Sequence, residues 1–252
     1  MPDAVICGYA RTPFGRFRGA LSSYSAVELG VRAVEELLRR TGIDPSGGEI
    51  DQVYMGQVLQ AGAGQAPARQ VALGCGMPNS TSCTTINKVC GSSLKAVMIA
   101  ASEIRAGVSE LVVAGGMESM SNAPRFIREA RRGEDVPFKS LLSILSHDGL
   151  TDAFSGELMG NTGETCALEY GISREESDAY SLRSHKLSSK GWENGEIEKE
   201  CVSMEELSID EGIRQDADMS TLTSLKAVFS EGGQVTAGNA SQVSDGASAV
   251  LV

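Results

Sequence analysis

No apolar run in this chain approaches the roughly 18 residues that a membrane helix requires. The start, Met1-Pro2-Asp3, also lacks the charged-then-apolar pattern of a secretory signal. Together these point to the cytoplasm. Positive charge is short as well: the 252 residues carry a net charge of -11, which argues against nucleic acid or an anionic membrane surface as partner. The six cysteines (Cys7, Cys75, Cys83, Cys90, Cys166, Cys201) show no CxxC spacing, so neither a zinc site nor a disulfide framework is indicated, and reduced thiols suit a cytosolic enzyme. Gly115-Gly116 lacks the spacing of a dinucleotide fingerprint and reads as a close backbone approach. There is no internal repeat and no low-complexity segment.

What is present is ordinary for a soluble globular protein of one large or two small domains: 41% hydrophobic and 22% charged residues. Ala4 to Tyr9 reads as a short buried strand, followed by a turn at Arg11-Thr12-Pro13-Phe14-Gly15. Ser25 and Glu28 form a capping box, and Val27, Val31, Val34 and Leu38 make an apolar stripe that runs to Gly42. A strand follows within Asp51 to Leu59, then a short helix over Ala68 to Leu73, a strand within Ser82 to Val89, a helix after it and a strand at Glu110 to Ala114. This alternation predicts a layered α/β sheet. From about Asn122 to Thr236 polar helices replace strands. Ser173 and Glu176 cap one that passes Tyr180, Leu182 and Leu187 and ends at Gly191 or Gly195. Glu193 to Glu211 reads as solvated surface. Ser244 to Val252 returns to the character of a buried strand, and a natural domain seldom stops inside one.

The chemistry concentrates at Asn87-Lys88-Val89-Cys90-Gly91-Ser92-Ser93-Leu94-Lys95-Ala96. The β-branched run Thr84, Thr85, Ile86 precedes it. Leu94, Val97, Met98, Ala101 and Ile104 recur at helical spacing behind it, up to Gly107. Cys90 is thus expected in the first turn of a helix, where unpaired N–H groups and the positive helix end favour a thiolate. Gly91 and the two serines would leave room for a substrate carbonyl. Position alone leaves open the alternative of a small buried hydrophobe. Cys83 reads as a core residue, His185 as solvent-facing, and His147 as a ring at a helix C-terminus.

This ten-residue stretch resembles the nucleophile signature of the thiolases. Further segments resemble that family in the family's order: Ala10 to Gly15, Gly56 to Gly62, Gln65 to Gln70, Ala114 to Ser121, Asp148 to Phe154, Tyr170 to Glu176 and Val235 to Ser241. They span essentially the whole chain. The resemblance implies an α/β, thiolase-like layered fold: one mixed-sheet half with helices on both faces, formed by residues 1–121 and 237–252, with a CoA-binding loop domain, 122–236, inserted. It implies acyl transfer between CoA thioesters, with Cys90 as the nucleophile that takes the acyl group. Coenzyme A and acetyl-CoA would be substrates, with no permanently bound cofactor and no metal.

The positions that match family CoA contacts are Leu150, Met159, Arg214, Thr221, Phe229, Ala237 and Ser241. Arg214 would face nucleotide phosphate, Phe229 the pantetheine tunnel and Ser241 a pantetheine amide. Core packing stays open for Leu150, Met159 and Phe229, and a solvated surface position for Arg214. Short-chain members often carry His-Met-Gly in the pocket, where Leu158-Met159-Gly160 stands here. A leucine donates no hydrogen bond to a keto oxygen, so longer or branched β-ketoacyl groups come into question. The family's Gly-His-Pro histidine, second cysteine and asparagine oxyanion donor belong to a second half. His147 and His185, the only two histidines, are in no such context. The expectation is therefore a thiolase subunit in a homo- or hetero-oligomer, with a separate chain carrying the C-terminal half, the other explanation being that this polypeptide is a truncated piece. The alternatives are a non-catalytic interaction protein of the same fold and a related condensing enzyme.

Overall fold

The computed structural model describes residues 3–127 and 137–252. In chain order these form β1 (Gly8–Arg11), β2 (Gly15–Arg16), α1 (Ala26–Thr41), β3 (Gln52–Gly56), α2 (Pro67–Gly74), β4 (Ser82–Ile86), α3 (Ser92–Ala106) and β5 (Val112–Ser119). Two short strands follow, β6 (Arg125–Phe126) and β7 (Leu142–Ser143), then α4 (Met159–Tyr170), α5 (Arg174–Glu193), α6 (Met219–Ser224) and β8 (Ser244–Leu251). The chain divides into two compact units. Unit 1 comprises the residues up to Leu145 with Glu200–Glu211 and Val243–Val252, and unit 2 comprises Ser146–Lys199 and Gly212–Gln242.

Unit 1 is an α/β layer structure around a mixed sheet ordered β1-β8-β5-β3-β4, with β2 also paired to β8. The neighbours of β3, namely β4 and β5, run parallel to it. β8 lies antiparallel between β1 and β5, in the register Gly8↔Leu251 and Ala114↔Val250. The carboxyl ends of β3, β4 and β5 thus point the same way. Helices cover both faces, as a sheet with parallel strands requires. On one face Leu29, Ala33, Val34, Leu37 and Leu38 of α1 join Val71 and Ala72 of α2 over Val53, Met55, Val113 and Leu251. On the other, Ala96 and Ala100 of α3 meet Tyr54, Val112, Ala114 and Val252.

α1 forms where its signals place it. Ser25 is the N-cap with both capping-box hydrogen bonds, and Gly42 closes the helix in the left-handed region at φ 72°. Its fully buried face is shifted from the predicted stripe: Val27 and Val31 are only partly buried, and Leu29, Ala33 and Leu37 take the centre. The first strand differs more. Val5 and Ile6 are 61% and 58% exposed, and pairing begins around Gly8 at a sheet edge. The α3 stripe also departs from expectation, since Leu94 is 67% and Met98 52% exposed. The helix turns the small residues Ser92, Ala96 and Ala100 to the sheet instead. Periodicity weighs large apolar side chains, whereas this contact depends on small ones.

That contact is close because the strands beneath carry glycine. A Cβ on Gly56 would stand 2.7 Å from Ser92 Cβ and from the Ser93 nitrogen, and one on Gly116 would overlap Ser93 Oγ. Part of the expected surface segment also joins unit 1. Arg11 binds both carboxylate oxygens of Asp210 at 2.8 and 2.9 Å and reaches Glu200 at 3.1 Å, and the Val202 N–H donates to the Arg11 carbonyl at 2.7 Å. Asp210 and Glu200 are therefore ion-paired to the sheet edge rather than freely solvated.

Unit 2 is built on α5 and α6. Ser173 caps α5 through a second capping box, Gly191 is buried inside the helix, and Asn194 is the C-cap, with Gly195 at φ 69° just beyond. Tyr180 and Leu187 are exposed, so apolar content on α5 does not mark a buried face. Among the described residues no helix is long and apolar enough to cross a membrane.

Gly116→Ala is expected to cost about 2 kcal/mol or more, because the methyl must displace the end of α3. Urea denaturation followed by far-UV circular dichroism measures it, with Gly91→Ala as the comparison variant.

Candidate active site

The loop Asn87–Gly91 leaves β4 at Ile86 and enters α3 at Ser92, with Gly91 as N-cap. Cys90 therefore stands just ahead of the helix rather than in its first turn. It is exposed, which removes the reading as a small buried hydrophobe.

A dense set of short-range hydrogen bonds fixes its backbone. The Asn87 side-chain oxygen accepts from Val89 N at 2.9 Å. Ser92 Oγ accepts from Lys88 N at 2.8 Å and donates to the Val89 carbonyl at 2.6 Å. Gly91 N and Ser92 N return to the carbonyls of Lys88 and Val89, each at 3.1 Å. Within this frame Val89 adopts φ 48°, a conformation that a β-branched side chain resists at a cost of about 1–3 kcal/mol. The Asn87 and Ser92 bonds hold it there.

The two serines do not serve as open space. Ser92 is 4% exposed and clamps the loop on both sides of Cys90, and Ser93 packs on Gly116. Gly91 differs. Its φ of -89° is open to any residue, and a Cβ there would meet only the Lys88 carbonyl, at 3.5 Å, among the described residues. The fold itself places little demand for glycine at Gly91.

Three other thiols of unit 1, Cys75, Cys83 and Cys201, are buried or partly buried, unlike Cys90, while Cys7 is exposed. Burial pushes Cys75 up to about 12 and Cys201 up to about 11. Burial also raises Cys83, whose Sγ donates to the Thr81 carbonyl at 3.4 Å. A thiol held protonated is a poor nucleophile, and Cys83 belongs to the core as expected.

Cys90 lies in unit 1, and the other eight candidate residues all lie in unit 2. Leu158 is the N-cap of α4 and bridges to Thr151, and Met159 opens the helix. At 42% and 40% exposure these two are not core residues, while Leu150 and Phe229 are half-buried. The Phe229 ring lies where a side chain on Gly160 would be, which brings Met159-Gly160 and Phe229 together.

Ala237 and Ser241 are exposed on a turn braced from beneath. Asn239 accepts from Thr236 N at 2.8 Å and donates to the Gln234 carbonyl at 2.8 Å and to Asp178 at 2.9 Å. Asp178 is fully buried and paired with Arg174 at 2.7 Å, and Glu164 accepts from Gln234 N and Val235 N. The sequence reading did not single out these bracing residues. The i, i+4 pair Arg174–Asp178 was the available signal.

Thr221 is exposed on α6, where its N–H caps onto Asp218 at 2.7 Å. Arg214 is exposed, and its backbone N–H donates to His185 Nδ1 at 3.3 Å. His185 is therefore half-buried and hydrogen-bonded, and burial, followed by the Arg214 charge, lowers its pKa. His147 Nδ1 pairs with the carboxylate of Asp148 at 2.5 Å. Among the described residues no group of three His, Cys, Asp or Glu side chains could hold a metal ion.

Residues 4–252 match the family model described as "Thiolase, N-terminal domain". A probable acetyl-CoA acetyltransferase of Escherichia coli is 46% identical over 100% of this chain and 66% of its own length. Acetyl-CoA acetyltransferase 2 of Arabidopsis thaliana is 45% identical over 99% of this chain and 64% of its own. Among solved structures, the Acat5 thiolase of Ascaris suum in complex with coenzyme A superposes with a TM-score of 0.90 at 37% identity, covering 99% of this chain and 65% of that one. The chain thus spans a little under two thirds of the length of these relatives.

Ser92→Ala is expected to cost about 1–3 kcal/mol, because it leaves the Lys88 N–H and the strained Val89 without their shared partner. Gly91→Ala is expected to stay within about 1 kcal/mol of wild type. Paired urea titrations of the two variants check the contrast.

Proposed function

The chain belongs to the thiolase family, through the N-terminal domain that residues 4–252 match, and from that premise we propose that it transfers acyl groups between CoA thioesters by way of an acyl-Cys90 intermediate. The observation that carries this reading is the exposed thiol on a pinned, strained turn at a strand-to-helix junction. A strained turn holds a nucleophile out from the fold at one orientation, and a thiolate converts one difficult carbon–carbon step into two thioester exchanges.

In thiolysis, Cys90 sulfur attacks the keto carbon of the β-ketoacyl-CoA. The bond between that carbon and the α-carbon breaks, and the α-carbon leaves as a carbanion that takes up a proton to give acetyl-CoA. Free CoA thiolate then displaces Cys90 from the acyl group. Synthesis runs these steps in reverse, with acetyl-Cys90 attacked by the carbanion of a second acetyl-CoA.

In unit 2, Leu150, Leu158, Met159, Arg214, Thr221, Phe229, Ala237 and Ser241 are the proposed contacts for the substrate. Arg214 is an exposed cation suited to phosphate in an otherwise acidic chain. Leu158, apolar and partly exposed at the start of α4, favours longer or branched acyl groups over acetoacetyl-CoA. The division of labour proposed for the chain is an α/β portion, 1–121 and 237–252, that carries the nucleophile and an insertion, 122–236, that carries the CoA contacts.

The histidine base, second cysteine and oxyanion asparagine would come from a C-terminal half outside residues 1–252, in an oligomeric cytoplasmic enzyme. In support, neither histidine of this sequence lies in a Gly-His-Pro context, and both are engaged elsewhere, His185 with Arg214 and His147 with Asp148.

Purification from the native source, with an assay for CoA-dependent cleavage of β-ketoacyl-CoA and mass identification of co-purifying chains, tests the proposal. Cys90→Ala is expected to lower the thiolysis rate of the active assembly about 1,000-fold or more, and peptide mass spectrometry is expected to find the acyl adduct on Cys90. Wild-type turnover in the alanine variant would overturn the proposal.

A further inference from the structure

Glu118 stands at the carboxyl end of β5 with an unusual set of partners. Its Oε2 accepts from Val58 N at 2.9 Å and Leu59 N at 3.2 Å, while its Oε1 is buried with no hydrogen-bond partner among the described residues. In the turn it holds, Gln57 is 2% exposed, donates to the Leu59 carbonyl at 3.3 Å, and likewise has a buried Oε1 without a partner. The Gln57 backbone N–H donates to the Ile86 carbonyl at 3.0 Å. Ile86 is the last residue of β4, from which the Cys90 loop departs.

Strand alternation puts Glu118 on the same side of β5 as Gly116 and Ala114. That side carries α3: Gly116 is covered by Ser93, and Ala114 packs with Ala96 and Ala100. Glu118, the turn after β3 and the loop after β4 therefore share one edge of the sheet, at the carboxyl ends of its parallel strands, where open α/β sheets set their reactive groups.

We propose that Glu118 is a positioning residue for Cys90, acting through the backbone of the Gln57–Leu59 turn and its bond to Ile86. The inference rests on the reading of Cys90 as the nucleophile. Glu118 touches neither the thiol nor the substrate in this scheme. It keeps the turn after β3 from rolling away from the root of the loop, so that the thiol stays at the end of α3. Burial favours the neutral acid here, against the N–H groups of Val58, Leu59 and Ser119 and with the charge of Asp245 adding to the effect. One side-chain oxygen accepts from both N–H groups, and this acceptor is what the turn requires of residue 118. Glutamine keeps the shape and the acceptor oxygen, whereas alanine and methionine offer no acceptor.

The test measures the alkylation rate of Cys90 by iodoacetamide in the full chain, resolved by peptide mass spectrometry from the other exposed thiols, Cys7 and Cys166. Glu118→Ala is expected to slow Cys90 alkylation about threefold or more as the thiol loses its place at the helix end. Cys7 and Cys166 should be unaffected, and Glu118→Gln should restore the wild-type rate. Unchanged Cys90 alkylation in a folded Glu118→Ala variant, or no recovery in Glu118→Gln, overturns the proposal. Should the alanine variant fail to fold, Glu118→Met takes its place, since it keeps the length and removes the acceptors.

Native-state hydrogen exchange on the wild type needs no variant. Val58 and Leu59 amides that exchange as fast as open loops would also overturn the proposal. Because alkylation needs no acyl-CoA, an absence of acyl transfer would overturn the proposed function while leaving this measurement able to decide on Glu118.

Discussion

The first turn of α3 rests on bare backbone at Gly56 and Gly116, and the placement of Cys90 depends on that approach. Any side chain at either strand position would lift the helix end, and with it Ser92, whose hydroxyl ties Lys88 to Val89 across the loop. The strained φ of Val89 follows from the same geometry. The chain has little room between the end of β4 and a helix already seated on the sheet, and the hydrogen bonds from Asn87 and Ser92 make the unfavourable conformation the best one available. Small residues along α3 and glycine in β3 and β5 are thus two sides of one contact, and the exposed thiol is its product.

Much of this architecture is legible in the sequence. The capping boxes at Ser25 and Ser173 both form, and the glycine pair Gly115-Gly116 is a close backbone approach as read. β8 is the buried strand that its apolar run announced. The misreadings share a cause. Val5 and Ile6, Leu94 and Met98, and Tyr180 and Leu187 are large apolar residues that lie exposed, because hydrophobic periodicity cannot tell which side of an element its neighbours occupy. Cys90 was found through its flanking residues. The brace beneath Ala237 and Ser241 escaped notice because Asp178, Asn239 and Glu164 are joined by contacts 61 to 71 residues apart in sequence.

Arginine serves this acidic chain chiefly as a cross-link. Arg11 gathers Asp210 and Glu200, Arg174 gathers Asp178 and the carbonyls of Leu222 and Leu225, and Arg69 gathers the carbonyls of Thr81 and Asn79. Each uses the planar fork of the guanidinium to satisfy several acceptors at once, which an ammonium group could not do with the same geometry. The segment around Asp210 is held to its unit by such a fork together with Met204, Val202 and Leu207, which pack on the core.

β8 has one further consequence, which concerns order in time. It separates β1 from β5 and pairs with both, so the strand that begins the sheet has no strand partner until the last has been made. The bond between Thr12 and Ala247 closes over 235 residues. During synthesis β3, β4, β5 and α3 can assemble from local connections, but β1 must wait, and β5, paired to β3 on one side, keeps its other edge open while the ribosome delivers everything between. A sheet closed by its final strand has high contact order and a late, slow step. Until that step is complete, β5 offers a nascent chain an open edge, the surface on which a chaperone or a neighbouring copy would act first.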